Sequence, residues 1–364
     1  MRIVHLSYAN MTEYSDPNAW LKRLDFFAVL LEQMAKEVEV RSIHRLNFTG
    51  VLNRNGVEYH FIKPKKLSLF SPDVSEYVRK LDVDVVIVHG FLFPLKVLWL
   101  KWKLSAEIKI IIQHHAEKPL RHYKRFLQRF ADKVVSAYFF TSLDQSIAWL
   151  ADRQINDRAK IYEVMEVPSV FKPMDRSEAR AITKVNGSKK YLWVGRFDQN
   201  KDPITLIKAF IPFAKENEDV HLCVVFQSNE LINEILKLIQ VAKAEGQITL
   251  VGKVGHHELI YWYNSVDFII STSHYEGSGI AVCEGMSCGC IPILTNIPSF
   301  RMMTNSGDCG LLVNAGDVNE LIIALERSLK MNVEQERAKT LFQYNTCLSA
   351  EAIATKMVQV FRKL

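Results

Sequence analysis

No apolar run in the 364 residues is long enough to span a bilayer. The opening Met1-Arg2-Ile3-Val4-His5-Leu6-Ser7 lacks the small-residue cleavage site of an export signal, so it reads as a first strand and places the protein in the cytoplasm. Cysteine is scarce and badly spaced for metal: Cys223, Cys283, Cys288, Cys290, Cys309 and Cys347 do not form the paired spacing of a zinc site. Cys288-Gly289-Cys290 is one residue too tight for a C-x-x-C redox motif, so all six read as reduced packing residues. No G-x-G-x-x-G opens a helix after an early strand, which argues against a nicotinamide-dependent oxidoreductase. Repeats and low-complexity stretches are absent as well.

What is present describes a globular chain: 48% hydrophobic and 24% charged residues, over a length sufficient for two domains. The net charge of +6 is uneven. Residues 1–170 hold 25 Lys+Arg against 19 Asp+Glu, and the remainder is balanced at 21 and 21. The densest basic group is Lys118, Arg121, Lys124, Arg125, Arg129 and Lys133. The simpler reading is a solvated helix face that packs through Phe126, Leu127 and Phe130; attraction to a phospholipid surface, an anionic acceptor or nucleic acid is the alternative. The run 91–103 mixes aromatics with lysines and carries the same pair of readings, a core helix or an interfacial one.

The first half alternates β-branched runs (2–7, 37–43, 58–62, 83–89, 108–113, 135–141) with amphipathic segments at 18–34 and 118–130. A second series follows at 191–194, 222–226, 247–251, 268–272 and 291–294, with helices at 203–215 and 231–243 between. This rhythm predicts an α/β architecture with doubly wound parallel sheets. The prolines of Val167-Pro168-Ser169-Val170-Phe171-Lys172-Pro173 resist helix and strand alike, which sets the boundary between domains 1–170 and 171–345. Residues 346–364 form a separate helical segment.

Ligands of open α/β sheets bind beyond the carboxyl ends of the strands, and that rule sorts the candidates. Arg196 and Lys201 follow the strand 191–194, where two cations suit a diphosphate. Glu276 and Glu284 frame a glycine turn after the strand 268–272, Glu276 on the loop and Glu284 in the expected first helical turn. Gly279 and Ile280 supply backbone N–H groups at that helix start, an anion cradle beside two acids suited to sugar hydroxyls. His89 and His115 end strands of the first half, and the tandem His114-His115 is the better placed for substrate. Asp82 and Asp84 precede their strand, on the wrong side of the sheet for a metal.

Together these residues resemble the retaining glycosyltransferases of the GT-B fold, family 4, best over about 191–330. The motifs are Val194-Gly195-Arg196 with Lys201, Leu250-Val251-Gly252-Lys253-Val254, Ser273-x-x-Glu276-Gly277, the E-x7-E pair and Gly310-Leu311-Leu312-Val313. The resemblance implies two Rossmann-like domains facing across a cleft, with a UDP- or GDP-sugar held mainly by the second and a glycan or lipid-linked acceptor. It implies Arg196, Lys201, Gly279 and Ile280 at the diphosphate, Glu284 at the ribose, and Glu276 and His115 as catalytic groups near the transferred sugar. It also implies no metal, no nucleic acid, and a terminal helix that returns to the first domain. Three departures stand out: Ser278 where an aromatic is usual, Thr272 where a proline is usual, and an N-terminal loop without paired glycines. Asp16 and Trp20 in that loop are the acceptor-side candidates. A nucleotide-sugar-binding subunit without turnover is the competing expectation.

Overall fold

The structure is a computed structural model that describes residues 1–64 and 72–364. The chain divides into two compact units: Met1–Pro168 with Ala350–Leu364, and Ser169–Ser349.

The first unit holds an eight-stranded sheet: β1 (Arg2–Met11), β2 (Glu39–Leu46), β3 (Gly50–Arg54), β4 (Val57–Phe61), β5 (Val85–His89), β6 (Lys109–Gln113), β7 (Ala137–Phe140) and β8 (Ile161–Glu163). Its order is β3-β4-β2-β1-β5-β6-β7-β8, and all pairings are parallel except the β3–β4 hairpin. Val4, Val86, Ile110 and Tyr138 from successive central strands are all fully buried, which explains why these runs read as continuously apolar. The terminal helix Ala350–Lys363 packs on helix Asp25–Met34 and adds an Arg362–Glu37 ion pair of 3.0 Å.

Two helices differ from expectation. The segment 18–34 is broken into Pro17–Arg23 and Asp25–Met34 at Leu24, whose N–H is shared between the Trp20 and Leu21 carbonyls. The Asp25 carboxylate accepts from the Phe26 N–H at 2.8 Å and places an acid in the first turn of the second helix. The basic helix begins at His122, beyond Pro119, and runs to Asp132. Phe126 and Phe130 face outward, 60% and 56% exposed, which overturns the expectation that they pack. The buried face is instead Gln128, Ala131 and Asp132, because Gln128 donates to the Tyr138 hydroxyl and that hydroxyl donates to Asp132.

The second unit is a six-stranded parallel sheet of β9 (Lys189–Gly195), β10 (Val220–Phe226), β11 (Ile248–Gly252), β12 (Phe268–Ser271), β13 (Ile291–Thr295) and β14 (Leu311–Val313). The order β11-β10-β9-β12-β13-β14 reverses direction between β9 and β12, the switch point where doubly wound sheets open a crevice. Tyr191, Phe210, Phe213 and Phe268 fill the core beneath it. Gly310 enters β14 at φ +91°, and an added Cβ would lie 2.2 Å from the Pro292 carbonyl oxygen. Gly310→Ala should therefore cost about 3 kcal/mol in urea denaturation, since neither backbone can yield.

Candidate active site

The loop leaving β9 and the loop leaving β12 are joined by hydrogen bonds across the switch point. The His274 N–H donates to the Asn200 carbonyl at 2.8 Å, and Asn200 Nδ2 donates to the Tyr275 carbonyl at 3.0 Å. Thr272, at the position of the usual proline, accepts from Trp193 Nε1 and donates to the Lys201 carbonyl at 2.8 Å. The departure thus supplies a tie that proline has no hydroxyl to make. Asp198 accepts from the Lys201 N–H at 2.9 Å and closes the turn.

These ties bring Lys201 and Glu276, 75 positions apart, into a 2.5 Å ion pair. Both side chains are mostly buried, and with Val194, Ser271, Gly279 and Ala281 they line one small recess. Gly279 caps the helix Ile280–Ser287 with φ +62°, and an added Cβ would meet the Phe300 ring at 2.6 Å. Only glycine fits there. The Val282 and Cys283 N–H groups donate to the Gly279 carbonyl and start the helix there, so the recess combines an ammonium with a helix N-terminus.

The side chains of Arg196 and Glu284 stand apart from this recess. Arg196 has a 63% exposed side chain and pairs with Asp198 at 3.0 Å. Ile280 is the first residue of the helix, so its N–H belongs to the N-terminus beside the recess, while its side chain is 42% exposed. Glu284 lies one turn deeper than expected, in the second turn, because the helix starts only at Ile280. Its carboxylate accepts from the Tyr263 hydroxyl at 2.9 Å and meets His256 Nε2 at 2.7 Å. Burial, then the adjacent Glu284 charge, pushes the Tyr263 hydroxyl well above its ordinary pKa, so it stays a donor. Phe171 from the proline-rich segment packs over both Tyr263 and His256. Tyr263, His256 and Asp198 were invisible in the sequence; only the nearness of Asp198 to Arg196 hinted at one of them.

In the first unit, three histidines form a hydrogen-bonded row across neighbouring strands. His5 Nδ1 meets His89 Nε2 at 3.1 Å, and His89 Nδ1 meets His115 Nε2 at 3.0 Å. His115 Nδ1 meets the Glu166 carboxylate. Both ring nitrogens of His115 are therefore engaged inside this unit. Burial opposes charge on His115, but Glu166 and Glu117 outweigh it and the pKa rises above the ordinary value. Glu117 also accepts from the Phe91 and His115 N–H groups at 3.0 and 2.7 Å, stapling the ends of β5 and β6. Burial pushes His5 down to about 3, and His89 well below its usual range.

His114 does not share this setting. It is 1% exposed, stacks on Phe140 at 4.6 Å and meets the Glu117 carbonyl at 2.8 Å. It is a core residue. Asp82 and Asp84 pair with Arg2 at the amino end of β1. Asp16 is exposed and caps the helix Pro17–Arg23, whereas Trp20 is buried and lines a cavity of about 380 Å³ with His5, His89 and His115.

Residues 175–343, the greater part of the second unit, match the family glycosyl transferases group 1. That unit is similar to the group 1 glycosyl transferases. Similarity to curated proteins is modest. A D-inositol 3-phosphate glycosyltransferase of Pseudarthrobacter chlorophenolicus is 26% identical over 51% of this chain and 46% of its own length. A phosphatidyl-myo-inositol mannosyltransferase of Mycobacterium leprae is 24% identical over 74% of this chain and 71% of its own. The chain thus spans less than half the length of the first of these relatives. Among solved structures, sucrose-phosphate synthase of Thermosynechococcus elongatus aligns at TM-score 0.71 and 18% identity, over 100% of this chain and 99% of that one. Anabaena HepE in complex with UDP aligns at 0.73 and 14%, over the whole of both chains. The fold of the transferase domain and its companion unit is accordingly GT-B, a Rossmann-like sheet in each.

Proposed function

We propose that the protein is a retaining hexosyltransferase of family 4, moving a hexose-type sugar from a UDP- or GDP-sugar to a hydroxyl acceptor in glycan biosynthesis. The observation that carries this reading is the Lys201–Glu276 pair beside the Gly279 helix start, at the β9/β12 switch point. Departure of a diphosphate builds negative charge where the Lys201 ammonium and the helix N-terminus are fixed in advance, so the barrier falls more than the ground state does. Glu276 gives up part of its bond to Lys201 and turns to sugar hydroxyls. Arg196, which swings from Asp198, adds a second cation, and Glu284 accepts from the ribose. HepE, a fold relative, has been solved with UDP and with UDP-glucose, which supports a nucleotide-sugar donor.

The test is turnover against a panel of UDP- and GDP-sugars, with product anomers assigned by NMR. Activity unchanged in both Lys201→Ala and Glu284→Gln would sink the reading. Glu284→Gln should weaken nucleotide binding about tenfold in calorimetry, because a charge-assisted acceptor becomes a neutral one. The reading gives no role to a metal, so rates in EDTA and in magnesium should agree. One observation favours a binding subunit without turnover: neither ring nitrogen of His115 is open to substrate. Nucleotide binding without transfer to any acceptor would decide for it.

No helix among the described residues is long and apolar enough to cross a membrane. Peripheral attachment to the inner leaflet is part of the proposal. Tyr123, Phe126 and Phe130 are exposed on the basic helix, with Arg129 over the Phe126 ring and Lys133 over that of Phe130. Aromatic rings at the headgroup level among cations suit anionic lipid. The protein should pellet with vesicles rich in phosphatidylglycerol at low salt, and the joint Phe126→Ser/Phe130→Ser variant should stay in the supernatant.

A further inference from the structure

We propose that Tyr263 is the positioning residue that makes the donor site select ribose over deoxyribose, by fixing the Glu284 carboxylate before a nucleotide arrives. The proposal rests on the reading of Glu284 as the ribose acceptor above, and goes beyond it in naming what holds that acid.

The Tyr263 hydroxyl has no packing purpose. Its ring lies in an apolar cluster with Leu192, Val266 and Ile269, and tilts against Phe171 at 5.9 Å. Phenylalanine would fill that space equally well. A wholly buried hydroxyl is costly unless it is bonded, and the bond it makes is the 2.9 Å donation to Glu284 Oε2. The opposite oxygen, Oε1, meets His256, whose side chain is 41% exposed. An ionised carboxylate only accepts, so His256 Nε2 carries a proton toward it. The acid is thus held between an enclosed donor and an open one. A ribose hydroxyl takes or shares the place of the open one, while Tyr263 keeps hold of the other oxygen.

Both sides of this contact are pinned. Tyr263 belongs to the helix Leu259–Ser265, and the Cys290 thiol donates to its carbonyl at 2.9 Å. The next residue, Asn264, accepts from the Met174 N–H at 3.0 Å and donates to the Lys172 carbonyl at 3.2 Å. On the other side, the helix Ile280–Ser287 lies tight on β12, since an added Cβ at Gly285 would sit 3.1 Å from Ile269. Ser287 Oγ donates to the Glu284 carbonyl at 2.7 Å and closes the turn. A loose glutamate loses rotamer freedom each time it binds, and here that loss is met on folding. The hydroxyl therefore turns a flexible acid into a fixed acceptor. The affinity gained depends on a ribose hydroxyl being there to meet it.

The measurement is calorimetry with UDP and 2′-deoxy-UDP, and with GDP and 2′-deoxy-GDP. The native chain should favour the ribonucleotide about tenfold or more, as expected of a hydrogen bond to a charged acceptor. Tyr263→Phe should cut that preference to about threefold or less, by weakening the ribonucleotide while deoxynucleotide affinity stays unchanged. Val185→Ala, a cavity elsewhere in the same apolar cluster, should lower the melting temperature and keep the native ratio. Circular dichroism checks folding. If Tyr263→Phe is unfolded, Tyr263→Met, which fills the space without a donor, decides by the same ratio. A ratio kept in the Tyr263 variant but lost in Glu284→Gln overturns the proposal and leaves Glu284 at the ribose. A native ratio near one overturns both, while nucleotide binding that depends on Lys201 still upholds the transferase reading. Binding of no nucleotide at all removes that reading, and the proposal with it.

Discussion

Lys201→Ala is expected to lower kcat about 100- to 1,000-fold, the range seen when one fixed charge stabiliser of a developing anion is removed. The Lys201 ammonium is held at 2.5 Å from Glu276, and its backbone is anchored by Asp198 and Thr272. The loop itself therefore should survive loss of the side chain. Glu276 then becomes a mostly buried carboxylate without its cation, which repels a diphosphate where Lys201 attracted it. The effect should fall on kcat and kcat/KM alike, since the charge is greatest as the leaving group departs. The joint variant Lys201→Ala/Glu276→Gln should bind nucleotide better than Lys201→Ala alone. Single-turnover kinetics separate these quantities, and a KM effect with intact kcat would contradict the assignment.

The second large effect is acid sensitivity. His5 and His44 are fully enclosed, and burial holds their pKa values at about 3 and about 4, below the ordinary 6.5. In the unfolded chain both rings would protonate near 6.5, so the unfolded state binds more protons below that pH. Their contribution to stability is complete above 6.5, declines as pH falls, and is gone below the folded values. At pH 5 the loss is about 2 kcal/mol for each ring, a large share of the 5–15 kcal/mol typical of a folded domain. His115 runs the other way. Its raised pKa contributes stability that is complete below the unfolded value and lost as pH rises through the folded one. Two buried rings outweigh it. Urea denaturation at pH 7.5, 6 and 5 should show the first unit failing first, and His44→Leu should flatten the trend.

The strands that carry Lys201 and Glu276 were legible because parallel strands buried on both faces leave unbroken apolar runs. Their carboxyl ends were legible from the glycines that follow. The pairing itself was not, because it depends on β9 lying beside β12, and strand order leaves no periodic trace. The same holds for the histidine row, which needs β1, β5 and β6 side by side. Glu284 was misplaced by a turn because an acid near a glycine reads as a cap, whereas its partners Tyr263 and His256 come from a different segment. Phe126 and Phe130 misled for a related reason. Apolar spacing on a helix reveals a stripe but not its direction, and here Tyr138 draws the polar stripe inward.

Five of the six cysteines are buried, and burial pushes Cys223 and Cys288 up to about 12 and Cys309 up to about 11. Cys347 alone is exposed, in the short segment Tyr344–Leu348 just before the chain leaves the transferase domain for the terminal helix. Thiol reagents at neutral pH therefore meet a single addressable atom. A maleimide fluorophore attaches there without mutagenesis, beside the second of the two places where the chain passes between units.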